Sequence, residues 1–341
     1  MDPRERHYCR QLLKALEKKV QNHMLLHRVA RGLRKRLLFM INCGLHWAEC
    51  ALADKTDKPL MYPPIFIIGA PRSGSTLLYQ VLTDYFEVGY LSNLHSCFYG
   101  APSFAERVFH PLRYRKPSDY SSYYGRTYGW TAPSECGEFW YRFFRRTPSY
   151  VPLNEVDDKH LRRLRGVVRS LVLSFNKPIL FKNLYCSVRV QPIIKALPEA
   201  LFIVVRRNLI DNSQSLLEGR KSVNGTYEKW FSLEPPEVSQ LKLLPPHIQV
   251  VEQVRSIYRL IDEEATVVGK SRFFEIEYES FCADTLSIIS GIKDFINSHG
   301  TKLNIRGEVR KKFSVDRQIK VDKELYKKIC DYIEQAAELQ R

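Results

Sequence analysis

Between Gly69 and Gly74 the chain places Ala70, Pro71, Arg72 and Ser73, and Ser75 and Thr76 follow directly. This Gly-x-x-x-x-Gly spacing is that of a loop whose successive backbone N–H groups, with the N-terminus of the next helix, cradle phosphate oxygens. A nucleotide triphosphatase follows the second glycine with a lysine that reaches the β- and γ-phosphates. Here Ser75 holds that position, and the cation, Arg72, has moved inside the loop. Such a loop is equipped to hold a 5′-phosphate group and poorly equipped to transfer a γ-phosphate or organise Mg²⁺. A second constellation is Arg207, followed eight residues later by Ser215. With a strand ending at the arginine and a helix after it, guanidinium and hydroxyl converge on one phosphate at the strand's carboxyl edge. The alternative is an arginine that caps the helix through Asp211.

Positioning these groups requires strands that deliver loops to one edge. Ile65-Phe66-Ile67-Ile68 reads as a buried parallel strand leading into the first loop, and Leu77, Leu78, Val81 and Leu82 continue at helical spacing. Further strands are expected at Ile179–Phe181, Leu201–Val205 and Arg272–Glu277. Helices are expected at Val188–Leu197, Ile210–Gly219, Ala283–Ser298 and Lys323–Leu339. Alternating strands and helices predict an α/β fold, an open parallel sheet flanked by helices on both faces. The stretch Asn93–Asn176 reads as irregular and rich in Tyr, Trp and Arg. It is expected to be an insertion shaping the acceptor site within a domain of residues 61–341. A polar, proline-containing linker, Asp54–Pro64, joins that domain to a basic amphipathic helical extension, residues 1–60.

The 341 residues include 53 Lys and Arg against 37 Asp and Glu, a net charge of +16, with 44% hydrophobic and 12% aromatic residues. That composition excludes a disordered chain and an integral membrane protein, and it predicts an anionic partner. Nucleic acid, a membrane surface and a phosphorylated or sulfated small molecule all satisfy the charge. Residues 1–40 carry 11 basic and three acidic side chains, half of the excess. Leu13, Leu16, Val20, Val29, Leu33, Leu37, Ile41 and Leu45 recur there at helical spacing. The expectation is a cationic helix packed on the main domain or on a second copy of the chain. Contact of residues 1–40 with a membrane surface or nucleic acid is the alternative. The start lacks the pattern of a signal peptide, and no stretch is apolar enough to span a bilayer, so a cytoplasmic protein, peripheral to a membrane at most, is expected. The eight cysteines form no C-x-x-C pair, so free thiols and no metal site are expected.

Together these elements resemble the sulfotransferases that use 3′-phosphoadenosine 5′-phosphosulfate (PAPS). Gly69–Thr76 and Arg207…Ser215 are similar to that family's 5′-phosphosulfate and 3′-phosphate elements. Phe181-Lys182-Asn183 and Pro198-Glu199-Ala200 look like the lysine-bearing strand and turn of Golgi-type and bacterial members, including the protein-tyrosine sulfotransferases. Ile276–Phe281 is similar to the "Y-E-x-L/F" element, and the resemblance covers roughly Pro64–Ser298. It implies a P-loop-like sulfotransferase fold and metal-independent, in-line transfer of a sulfuryl group from PAPS to an acceptor hydroxyl or amine, releasing adenosine 3′,5′-bisphosphate. It implies that Arg72 and the backbone of Ser73, Gly74, Ser75 and Thr76 hold the phosphosulfate, and that Arg207 and Ser215 hold the 3′-phosphate. Tyr278 packs under the nucleotide on the same basis. Lys182 shares with Arg72 the stabilisation of charge on the bridging oxygen, and the basic stretch Arg310-Lys311-Lys312, with Ser314 and Arg317, closes over the donor.

The general base follows neither familiar arrangement. The position two residues after Lys182 is Leu184, not histidine, and the place of the tyrosine-sulfating members' glutamate falls near Asn93. His95 is the first expectation because an unperturbed imidazole suits proton abstraction. Glu135 and then Glu138 are the alternatives. The acceptor is a small molecule, glycan, lipid or peptide that aromatics such as Tyr120, Tyr124, Tyr128, Trp130 and Trp140 could stack on or enclose. The rival functions are a P-loop kinase or NTP-binding enzyme and, further off, a nucleic-acid-binding protein using the basic leading segment.

Overall fold

A computed structural model describes residues 36–51, 53, 58–110 and 117–338. Five strands, β1 (Ile65–Gly69), β2 (Gly89–Tyr90), β3 (Ile179–Lys182), β4 (Leu201–Arg206) and β5 (Phe273–Glu277), form one sheet in the order β2-β3-β1-β4-β5. Every pairing is parallel, with Ile65 opposite Leu180 on one side and Leu201 on the other. All five β1 residues are buried, because helices cover both faces and leave no solvent side to alternate with. Phe66 and Ile68 face one apolar core and Ile65 and Ile67 the other. On the first face Phe66 stacks between Phe181 at 5.3 Å and Phe202 at 5.5 Å, with Trp140 tilted against it.

Beside the helix over residues 36–51 and two single-turn helices, Gly137–Trp140 and Val238–Leu241, the α-helices are α1 (Ser75–Tyr85), α2 (Asn93–Cys97), α3 (Pro102–Phe109), α4 (Asp158–Phe175), α5 (Val190–Ala196), α6 (Leu209–Asn224), α7 (Pro246–Val268), α8 (Tyr278–Ala283), α9 (Thr285–Ser298) and α10 (Lys323–Glu338). The strand–helix alternation expected from the sequence is present, with four differences. The two-residue edge strand β2 is not among the expected strands. The 93–176 stretch is not irregular throughout: it holds α2, α3 and the 18-residue α4, whose Leu161, Leu164, Val168, Leu171 and Val172 are buried. The 23-residue α7, which the sequence reading leaves unassigned, starts with Pro246 in its first turn and ends at Gly269 with φ +102°. The helix expected over Ala283–Ser298 is preceded by the separate short α8, and Asp284 between them accepts from Ser287 N.

Residues 36–51 are helical, while the remainder of residues 1–35 lies outside the described residues. Within this helix the expected inward apolar stripe is turned outward. Leu37 and Ile41 are exposed, whereas Asn42 and Glu49 are buried. Part of the linker is pinned: Leu60 N–H donates to Glu199 Oε1 at 3.0 Å. Among the described residues the seven cysteines are free, no acidic, histidine or cysteine cluster could hold a metal, and no helix is long and apolar enough to cross a membrane.

Candidate active site

The Gly69–Thr76 loop is anchored from below by polar groups far away in sequence. Ser187 Oγ accepts from Gly69 N and donates to Gly69 O, each at 3.0 Å, and Asn212 Nδ2 donates to Pro71 O at 2.6 Å. Arg72 takes the left-handed region at φ +68°, and its carbonyl accepts from Arg207 Nη1 at 3.1 Å. A non-glycine residue held there costs energy that the surrounding bonds offset, which is characteristic of a functional turn. Gly74, at φ +90°, caps α1 beneath the Tyr278 ring, where a Cβ would come within 2.1 Å of a ring carbon. Only glycine satisfies both the dihedral and the contact. The first amides of α1 have no intrahelical acceptor, so this helix end offers donors and a partial positive charge.

Above the loop lies a cavity of about 530 Å³ lined by Gly74, Ser75, Thr76, Arg72, Lys182 and Arg207, and also by Glu135 and Tyr278. The carboxyl-terminal basic stretch reaches the same space through Arg310, Ser314 and Lys320. Two of these cations are matched within the chain, since Lys182 Nζ pairs with Glu135 Oε1 and Lys320 with Asp316. Arg72 and Arg207 face the cavity with no carboxylate at ion-pair distance among the described residues, and Arg207 Nε is buried without a hydrogen-bond partner. Burial holds the Arg72 guanidinium below its ordinary pKa, with Tyr124 and Glu218 opposing that shift. The site therefore concentrates positive potential where a polyanion would sit.

Several expected residues converge and others do not. Ser73 lies under the loop, fully buried, and its N–H bonds to Ala70 O, so it contributes no cavity surface. Ser215 is also buried and is not among the cavity residues; its Oγ accepts from Arg72 Nε at 3.0 Å, so it orients the loop arginine. Asn208, not Asp211 with Arg207, caps α6, accepting from the N–H groups of Ile210 and Asp211. Arg207 is thus left for the cavity.

His95, the first expectation for the base, requires correction. It is fully buried, its Nδ1 accepts from Ser92 N at 3.1 Å, and its Nε2 lies 3.2 Å from the buried carboxylate of Glu106. That bonding closes the start of α2 onto α3, and His95 is not among the residues lining the cavity. Glu138 is exposed in the first turn after Cys136 and is likewise not a cavity residue. Glu135 does line it, within reach of Lys182 and under Gly125.

The sequence reading also missed a clamp on Arg72. The guanidinium lies 4.8 Å from the Tyr124 ring centroid, and Tyr124 OH donates to Glu218 Oε1 at 2.7 Å. Glu218 stands one turn beyond Ser215 on α6. The only sequence signal is that Ser215 and Glu218 share a helix face; nothing in the spacing joins them to Tyr124.

A model of the Sulfotransferase family matches residues 63–299. Two similar curated proteins, the omega-hydroxy-beta-dihydromenaquinone-9 sulfotransferases Stf3 of Mycobacterium bovis and Mycobacterium tuberculosis, are each 24% identical over 277 residues. The match covers 74% of this chain and 64% of each relative, so the chain spans less than two thirds of their length. The crystal structure of sulfotransferase STF9 from Mycobacterium avium shares the fold, with a TM-score of 0.50 at 14% identity over 85% of this chain and 72% of that one. With the parallel sheet, the glycine-bounded loop and a family match over more than half of its length, the chain belongs to the sulfotransferase family.

Proposed function

We propose that this protein transfers a sulfuryl group from PAPS to a hydroxyl of a lipophilic acceptor. The observation that carries the reading is the joint placement of Arg72, Arg207, Lys182, Glu135 and the α1 N-terminus around one cavity. The residues fit the donor. The buried, unpartnered Nε of Arg207 suits a 3′-phosphate, while Arg72 and the Ser75 and Thr76 amides suit the 5′-phosphosulfate. Bound there, the donor supplies the sulfuryl group.

The protein's own groups then divide the work. Glu135 receives the acceptor's proton as its oxygen attacks sulfur in line, and Lys182, released from that carboxylate, faces the bridging oxygen whose S–O bond breaks. Arg72 spreads the same developing negative charge, held in place by Ser215 and Tyr124. Tyr120, Tyr124, Leu184, Phe231 and Phe313 also line the cavity, which supports an apolar acceptor over a sugar. The names of the curated relatives, which specify a hydroxylated menaquinone, support the same class.

The test is thermal stabilisation followed by product analysis. Adenosine 3′,5′-bisphosphate should raise the melting temperature while Mg-ATP does not, and labelled PAPS should mark hydroxylated lipids in preference to sugars or tyrosyl peptides. Stabilisation by Mg-ATP alone would assign the cavity to a kinase-like enzyme instead.

A further inference from the structure

The helix over residues 36–51 exposes its large apolar side chains. Leu37 is 55% exposed, Met40 62% and Trp47 76%, and at 100° per residue these three lie away from Asn42. Asn42 faces the protein, donating to Cys97 O at 2.9 Å and accepting from Gly100 N at 2.7 Å. Glu49 completes the attachment by accepting from Ser103 N at 3.0 Å. Polar groups thus tie the helix to α2 and α3, with Leu37, Met40 and Trp47 left outside.

The neighbouring elements extend the same character. On α3, Phe104 and Val108 are exposed one turn apart. At the other end of α2, Leu94 N bonds to Trp130 O, and in that loop Tyr123, Tyr128 and Trp130 are all more than half exposed. This loop also supplies the cavity residues Tyr124 and Gly125. Aromatic residues with an apolar body and one polar atom suit a boundary between water and hydrocarbon.

The charges on these segments are sorted. Across residues 36–51, 93–110 and 117–134 there are three carboxylates: Glu49 and Glu106 are buried, and Asp119 is exposed at the rim of the cavity. Arg36, Arg107 and Arg126 are exposed. The sequence adds Arg28, Arg31, Arg34 and Lys35 just before this helix, a balanced Asp54, Lys55, Asp57 and Lys58 just after it, and Arg113, Arg115 and Lys116 just after α3. Exposed apolar residues flanked by cations, with two of the three acids buried, complement an anionic headgroup layer over hydrocarbon. A protein partner of ordinary mixed charge would not need this segregation.

We propose that this face docks on an anionic lipid bilayer, setting the cavity mouth beside the membrane surface. No described helix can cross a bilayer, so the contact is peripheral. The inference stands on surface chemistry and does not depend on the identity of the donor.

The full chain should co-sediment with vesicles of phosphatidylcholine and phosphatidylglycerol, weakly with phosphatidylcholine alone, and less as salt rises. The chain has four tryptophans. Trp47 and Trp130 are exposed, whereas Trp140 is buried and Trp230 donates its indole N–H to Leu233 O. Binding should therefore shift the emission to shorter wavelength, and the shift should vanish in Trp47→Phe/Trp130→Phe. Met40→Ser with Trp47→Ser should lower partitioning roughly tenfold or more while leaving the melting temperature unchanged. Leu243→Ser, at a leucine 86% exposed elsewhere, should leave it intact. Absence of binding to the anionic vesicles, or equal effects from the two sets of serine variants, would overturn the proposal. So would a dimer in light scattering that the Met40 and Trp47 variants abolish, since the occupant would then be a second copy.

Discussion

Glu135 and Lys182 form an ion pair whose members take different tasks in the proposed transfer. Replacing Glu135 by Gln keeps a similar shape but removes the proton acceptor. Turnover should fall ~10²- to 10⁴-fold with stabilisation by adenosine 3′,5′-bisphosphate retained. His95→Gln should do the reverse, because it strips the buried Glu106 carboxylate of a partner: stability falls by about 1–3 kcal/mol while turnover below the melting range stays near normal. Loss of turnover in a well-folded His95 variant would return the base to His95. Tyr124 offers a separate measurement. Tyr124→Phe keeps the ring over Arg72 and loses the bonds to Glu218, so kcat should drop by roughly tenfold with donor KM little changed. A rise confined to donor KM would make Tyr124 a binding residue only. At this scale the glycine loop and its arginine were legible because their chemistry is local. Glu135 was legible only as one of three candidates, since its partner is 47 residues away and a loop decides their meeting.

The helix over residues 36–51 is attached through titratable groups, and this makes its docking depend on pH. Burial and the Arg142 charge hold His46 at about 4, below its ordinary 6.5, and Arg163 and His160 add to the effect. Its neutral Nδ1 accepts from Arg142 Nε at 2.9 Å. A depressed histidine contributes stability that is fully present above pH 6.5 and is lost as pH falls through about 4. Glu49 works in the opposite sense, because burial raises its carboxyl, against Ser103 and Arg142, and so favours its protonated form in the fold. We expect amide exchange over residues 36–51, corrected for its intrinsic pH dependence, to accelerate between pH 6.5 and 4. His46→Gln should flatten that slope; an unchanged slope would remove His46 as its cause. Apolar periodicity predicted a helix here and pointed its apolar side inward. The reversal arises because Asn42 and Glu49 find backbone partners on α2 and α3 that no periodicity encodes.

Across the whole molecule, the glycine-bounded loop and the lysine strand ride on one aromatic stack. Phe66 on β1 contacts Phe181 on β3 and Phe202 on β4, so Phe66→Ala should cost about 3–5 kcal/mol in denaturant unfolding and weaken donor binding in parallel. A loss under ~1 kcal/mol would mean that the core collapses around the gap. The sequence by itself determined four of the five strands, their parallel class and the glycine-bounded loop, because buried parallel strands are continuous apolar runs and a cradle needs glycine at fixed spacing, whereas the two-residue β2 is too short to leave such a run. It also carried the family resemblance. Tertiary structure alone decided which strands are neighbours, that Ser215 and Tyr124 hold Arg72, and that Glu135 lines the cavity while His95 does not. Spacing constrains groups a few residues apart, whereas these contacts join segments dozens to more than a hundred residues distant, where only packing chooses the partner.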